Sequence, residues 1–322
     1  MSDTTIERPP VGAISRLCIA FFVAVLLSLF FIPGLKLTDF GNRLDSYGQN
    51  FCHFPLFAAI SAALLAWWPR KGNHVTKAGV VTAMAVGLAA AVEIIQPYVG
   101  RTAAWDDLML GAAGCVSVVA VYVGVRSASS TLKRCLGVVA TVLFLIALLP
   151  LVLIASDRYR ATRAFPLVDS FERATELGRW VPEGCKVTQV REHATHGLYS
   201  LKMIAEAGAA YPSIFLSDGQ MDWRGYRRLA LDVYLKGENS RLLWIRADDR
   251  KYPPYEDRAQ TTVELKPGEN TIWIDLSVFS RKPSGEVLNL SNIVTVGLFL
   301  DNPSPGDTIF VDKMVLSAKP RS

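Results

Sequence analysis

Glu93 and Gln96 lie three residues apart near the end of a long apolar run. Arg101 follows in a short loop, and Asp106 and Asp107 open the next apolar run. A carboxylate can accept a proton, and an arginine fork can hold a phosphate or a second carboxylate in its plane. Together they can also form an ion-paired clip between helices, of the kind in which polar contacts contribute about 0.6–2 kcal/mol. Their cost argues against accident, because an acidic residue at the centre of a membrane helix costs roughly 2.5–3.5 kcal/mol and less toward the interface. Glu93 and Gln96 share a helix face. Asp106 or Asp107 sits at a helix N-terminus, where the dipole favours a carboxylate. His53, at the start of an earlier apolar run, adds an imidazole. His53, Glu93, Gln96, Arg101 and Asp107 thus form a candidate polar site. Three readings stay open: a structural clip, a ligand or headgroup site, and an enzyme centre. The chain has no nucleophile elbow, metalloprotease helix, phosphate loop or dinucleotide fingerprint, so no catalytic residue is assigned.

The elements that must position these residues are apolar runs. Five of them, about 17–33, 51–68, 78–99, 108–125 and 136–155, approach the ~20 residues that cross roughly 30 Å of hydrocarbon. Joined by short segments, they predict an all-α five-helix transmembrane bundle over residues 13–156. Residues 1–12, polar with a Pro-Pro pair, read as a disordered cytoplasmic tail. The first run follows Arg8 and Arg16 but leads into Pro-Gly-Leu-Lys, not a small-residue cleavage site, so it reads as an uncleaved span. With the N-terminus inside, cytoplasmic segments carry Arg8, Arg16, Arg70, Lys71, Lys77, Arg126, Lys133 and Arg134. The outer loops hold only Lys36, Arg43 and Arg101. That bias sets the orientation, against the opposing Arg158, Arg160 and Arg163 after the last span. The polar residues then share one depth near the outer face of a bacterial cytoplasmic membrane. The C-terminal half becomes extracytoplasmic.

With His53, the spacing Glu93-x-x-Gln96-x-x-x-x-Arg101, Asp107 opening the next span, and Gly111 and Gly114 after it, residues 35–125 resemble the VanZ-like family of small membrane proteins. The chain has Gln49 and Asn50 where that family often has Asp-Lys, and Phe57 where a Tyr is frequent. The resemblance implies a cell-envelope role associated with glycopeptide-antibiotic resistance. An enzyme acting on a lipid-linked substrate through Glu93, Arg101 and Asp107 is the alternative.

After a juxtamembrane linker at 157–164 the period changes to two. Leu229, Leu231, Val233 and Leu235 alternate with other residues, as do Ile272, Ile274 and Leu276, and Val294 to Leu300 in the same way. A last strand runs from Ile309 to Leu316, and Gly/Pro/Asn-rich turns lie between. Residues 165–322 are predicted to form an antiparallel β-sandwich, a jelly roll. Asp169-Ser-Phe-Glu172, His196 to Lys202, Asp222 to Leu229, Gly268 to Asp275 and Phe310-Val-Asp312 resemble the galactose-binding-like jelly rolls, which include many carbohydrate-binding modules. That resemblance implies a polysaccharide or lipid-linked glycan partner. It also implies a candidate structural calcium at Glu172 and Asp312. Sugar rings offer an apolar face that aromatic side chains cover. Trp244, Tyr252, Tyr255 and Trp273 are the candidates, with Arg246, Asp248 and Asp249 nearby. Trp180 and Trp223 read as core.

A net charge of +5 with no basic run interleaved with aromatics argues against nucleic acid. Of five cysteines only Cys185 lies in the C-terminal half, which therefore makes no internal disulfide, and no zinc spacing is present.

Overall fold

A computed structural model describes residues 13–28, 42–68, 72–100, 103–216, 221–280 and 282–318. The tail at 1–12, the end of the first apolar run and Arg101 lie outside the described residues. The chain divides into two compact units, one reaching Val152 and one beginning at Leu153; residues 41–43 group with the second.

The first unit is helical: α1 (Ala13–Ser28), α2 (Asn42–Trp67), α3 (His74–Ile95), α4 (Trp105–Arg126) and the start of α5 (Ser130–Ala164). Among the described residues, α2 to α5 are long and apolar enough to cross a membrane; the 16 described residues of α1 are too few. Two helices outrun the apolar patterns. α2 starts at Asn42, nine residues before the apolar run, so His53 lies three turns inside the helix and not at its start. α5 continues through the segment read as a linker and stops at Ala164. Asn73 caps α3 by accepting the Val75 N–H at 2.8 Å. Asp106 and Asp107 occupy the first turn of α4 and Arg126 the last, each matching the dipole.

Glycines set the packing of α2 on α4. A Cβ at Gly114 would run into the Phe54 carbonyl, and one at Gly111 would stand 2.8 Å from the Phe57 ring. The two backbones therefore touch, as small residues allow in membrane bundles. Phe144 of α5 packs edge-on against Phe51 and Phe54.

In the second unit, the last turns of α5 precede an antiparallel jelly-roll β-sandwich. One sheet has the order β3 (Cys185–Val190), β4 (Ser200–Ala205), β11 (Thr308–Ser317), β6 (Arg228–Lys236), β9 (Gly268–Asp275), with β1 (Leu167–Asp169) also on β11. The other has the order β2 (Trp180–Glu183), β5 (Ser213–Leu216), β10 (Thr295–Leu300), β7 (Arg241–Asp248), β8 (Ala259–Leu265). The alternation read in the sequence is the two-faced register: Leu229 opposes Ile274 and Leu231 opposes Ile272, all facing inward. Ile214, Leu243, Ile245, Val296 and Leu298 meet them from the other sheet, with Trp180 and Trp223 inside the core. At about 1.5–3 kcal/mol for each fully buried large apolar side chain, this core is ample for independent folding.

A buried charge network ties α5 to the sandwich. Arg179 lies 3.4 Å from both Asp157 of α5 and Asp169 of β1. Asp169 also accepts the Trp180 indole N–H at 2.6 Å and the Ser170 and Phe171 N–H groups.

Candidate functional site

Glu93 stands two residues before the end of α3. The chain then turns through a short 3-10 segment, Gln96–Val99, and reverses at Gly100, whose φ of 77° suits glycine. Ala104, the residue ahead of α4, offers no side-chain cap, and its N–H donates to Glu93 Oε2 at 2.9 Å. One oxygen of Glu93 thus closes the loop. The other lies 4.0 Å from His53 Nδ1, while His53 Nε2 lies 3.5 Å from Asp107 Oδ2. The imidazole therefore sits between two carboxylates supplied by α3 and α4.

His53, Glu93 and Asp107 are only 6%, 8% and 8% exposed. His53 is in place because α2 lies against the glycines of α4: His53 precedes Phe54 by one residue and Phe57 by four. Asp106 is exposed, so Asp107 is the aspartate that joins the cluster. Gln96 is 2% exposed, and its Oε1 accepts no hydrogen bond among the described residues. An imidazole between two buried carboxylates can relay a proton or gather a cation.

The candidate aromatics of the sandwich divide between its two sheets. Trp273, 57% exposed, projects from β9 in the six-stranded sheet. Trp244 is on β7 of the other sheet, and its indole N–H reaches Asp301 at 3.4 Å. Tyr252 (96% exposed, φ 51°) and Tyr255 belong to the loop after β7.

The outer face of the five-stranded sheet joins Arg246, Asp248 and Tyr252 to residues that the candidates did not include. Gly297 of β10 opposes Phe215 of β5 on one side and Arg246 of β7 on the other. A Cβ at Gly297 would lie 2.7 Å from the Phe215 ring, so that ring lies across the glycine. Phe299, opposite Trp244, meets Phe215 edge-on with centroids 5.0 Å apart. The Arg246 guanidinium stands 5.9 Å from the Phe215 centroid and grips Asp248 through two contacts, Nη2–Oδ2 at 2.7 Å and Nε–Oδ1 at 2.9 Å. Burial pushes the Asp248 carboxyl above its ordinary range, against the attraction of Arg246. A groove of about 310 Å³ runs over this face between Val181, Phe215, Arg246, Asp248, Tyr252 and Arg258. It offers an aromatic floor beside a planar, doubly bonded guanidinium, which is what a sugar ring with an apolar face and polar rim needs. Phe215, Gly297 and Phe299 were not among the sequence candidates.

Glu172 and Asp312 hold one loop. Glu172 accepts the Leu198 and Tyr199 N–H groups at 2.9–3.0 Å. Asp312 accepts those of Thr195 and His196 at 2.7 Å each. Burial raises the Asp312 carboxyl, and these donors oppose the rise. The positive ends of N–H dipoles face both carboxylates, where a cation site calls for further oxygens.

No family model matches the chain, and no curated protein matches it. Solved structures match its β-sandwich part. An exo-β-agarase aligns with TM-score 0.41 and 14% identity over 48% of this chain; the aligned part is 25% of the agarase's own length. A family 11 carbohydrate-binding module from Clostridium thermocellum, in complex with a β-1,3-1,4-mixed-linked tetrasaccharide, aligns with TM-score 0.38 and 19% identity over 48% of this chain and 96% of that module. A xylan-binding domain of family 22 aligns with TM-score 0.32 and 12% identity over 47% of this chain and 92% of that domain. In its C-terminal half, then, the chain is similar to carbohydrate-binding modules.

Proposed function

We propose that this is a multi-pass protein of the bacterial cell envelope that holds a glycan-binding sandwich outside the cytoplasmic membrane. In this reading the helical half is VanZ-like, with the association of that family to glycopeptide resistance. The apolar run at 17–33 and α2 to α5 make five crossings, and the N-terminus is cytoplasmic. The observation that carries the glycan reading is the outer face of the five-stranded sheet. There the Phe215 ring lies across Gly297 beside the Arg246–Asp248 pair, lining a groove of about 310 Å³. The Glu172–Asp312 loop is read as closed by its own N–H donors, with calcium the alternative; unchanged melting of the sandwich in EDTA supports the first.

The test is binding of soluble polysaccharides to residues 153–322, which carry a complete core of their own. Binding should be weakened about tenfold in Phe215→Ala, on the scale of the roughly 1–3 kcal/mol that stacking on an aromatic side chain contributes per nucleobase. A broad glycan panel without a hit overturns the reading. A reporter fused after Ser322 tests the orientation and should be active only outside the cytoplasm. The second reading, an enzyme acting on a lipid-linked substrate through Glu93, Arg101 and Asp107, draws support from the convergence of Glu93 and Asp107 on His53. It requires Glu93→Gln to change the lipid-linked sugar profile of the membrane.

A further inference from the structure

Three helices each deliver one metal-capable side chain to a single point: His53 from α2, Glu93 from α3 and Asp107 from α4. One donor atom from each lies within 4.8 Å of the others, and all three residues are buried. His53 Nε2 and Asp107 Oδ2 are 3.5 Å apart. Bonds of about 2.0–2.1 Å to a tetrahedral ion place neighbouring ligand atoms roughly 3.3–3.5 Å apart. That pair already has the separation one ion would demand, and a donor oxygen of Glu93 lies within 4.8 Å of both, close enough for side-chain torsions to complete the set.

We propose that His53, Glu93 and Asp107 form a binding site for one divalent transition-metal ion of the zinc class, with a remaining position open to water or a substrate oxygen. Mixed imidazole and carboxylate donors suit zinc, manganese or iron, whereas calcium and magnesium favour all-oxygen sets. Three protein ligands with one open position are the pattern of catalytic zinc rather than structural zinc.

A second observation points the same way. Gln96, one turn beyond Glu93 on the same face, buries an amide oxygen that accepts no hydrogen bond among the described residues. An orphaned buried acceptor beside a carboxylate cluster is what an electrophile would satisfy. The scaffold is also stiff where it must be. Gly114 against the Phe54 carbonyl fixes α2 on α4 one residue from His53, and Ala104 N–H holds Glu93 Oε2. Sites carried on rigid elements keep their ligand geometry.

The experiment uses the full chain in detergent, stripped with EDTA and titrated with Zn2+ or with Co2+ as a spectroscopic probe. One equivalent per chain should be retained after dialysis, and bound Co2+ should show the visible absorption of a four-coordinate ion. His53→Ala and Asp107→Asn should each weaken retention at least tenfold, with helix content by circular dichroism unchanged. Asp106→Asn, at an exposed neighbour, should bind as the unaltered chain does. If the unaltered, folded chain retains no metal, the proposal is overturned without recourse to any variant. It is equally overturned if His53→Ala and Asp107→Asn retain as much as the parent, since the ion is then held elsewhere.

Discussion

The helical and β halves of this chain use polar side chains in opposite ways. In the apolar helices burying a charged group is costly, so the buried ones call for a structural or chemical reason. His53, Glu93 and Asp107 are separated by 40 and 14 residues, yet they meet. In the sandwich polar and aromatic residues are common, because each strand shows one face to water. Being an exposed tryptophan there says little. What matters is which residues the register lays side by side, and Phe215, Gly297 and Arg246 meet only because β5, β10 and β7 are neighbours. The cost of burial carries the information in the helices, and adjacency carries it in the sheets.

The largest effect that would sharpen this contrast belongs to the sandwich. Arg179→Ala leaves Asp157 and Asp169 buried without their shared cation, at 3.4 Å from each in the parent. Removing one partner of a buried ion network typically costs about 3–5 kcal/mol. Urea unfolding of residues 153–322 should show that loss; a change below about 1 kcal/mol would mean water reaches the network. In the helices the corresponding weak point is a glycine. Gly114→Ala drives a methyl group into the Phe54 carbonyl, and overpacking of this kind costs about 1–3 kcal/mol. Gly111→Ala meets a side-chain ring, Phe57 at 2.8 Å, rather than backbone, and should cost less. Thermal melts of the two variants in detergent should keep that order.

Much of the fold could be read from the chain, for reasons that also explain what could not. The alternation from Leu229 to Leu235 and from Ile272 to Ile274 marks strands because each inward residue is apolar. Apolar runs mark α3 and α4 well. They misplace the ends of α2 and α5, because hydropathy reports hydrocarbon and not helix. Asn42–Asn50 and Asp157–Ala164 are polar yet helical. Glu93 and Asp107 are legible from the cost of a charge beside an apolar run and His53 from its place at the start of one, whereas the exposure of Asp106 and burial of Asp107 depend on the phase of α4. Asp169 enters the sequence reading only as the first residue of Asp169-Ser-Phe-Glu172, with no role of its own. Its role depends on Trp180 and Arg179 folding back over it, which no local pattern encodes. The aromatic floor was missed because Phe215 sits in a four-residue strand and its place depends on a glycine 82 positions away.

The buried acid of the sandwich also sets its pH dependence. Burial lifts the Asp169 carboxyl from an ordinary 3.8 to about 6, against the attraction of Arg179. Between those values the folded state binds a proton that the unfolded state has released, so stability falls as pH rises from about 4 to 6. A shift of that size sets a ceiling of about 3 kcal/mol. Asp222, hydrogen-bonded by Arg224, and Asp275, hydrogen-bonded by the Ser277 N–H, are both held near 2. Their contribution is present above pH 4 and lost toward pH 2. Stability of residues 153–322 should therefore peak near pH 4, and Asp169→Asn should flatten the limb from 4 to 6. A parent curve that climbs steadily to pH 7 would show that Arg179 governs the carboxyl instead.

The smallest expected effect separates adjacency from exposure. Trp273 is the large exposed aromatic of β9, but it belongs to the sheet opposite the groove. Trp273→Ala should leave polysaccharide affinity of residues 153–322 unchanged and stability within about 0.5 kcal/mol, as for surface substitutions away from special features. Trp244→Ala removes a ring directly opposite Phe299 on the groove face and should weaken binding severalfold. If Trp273→Ala weakens binding more than Trp244→Ala, the ligand sits on the six-stranded sheet. The groove over Phe215 and Gly297 would then be a packing feature, and single exposed aromatics would be better guides in this half than strand register.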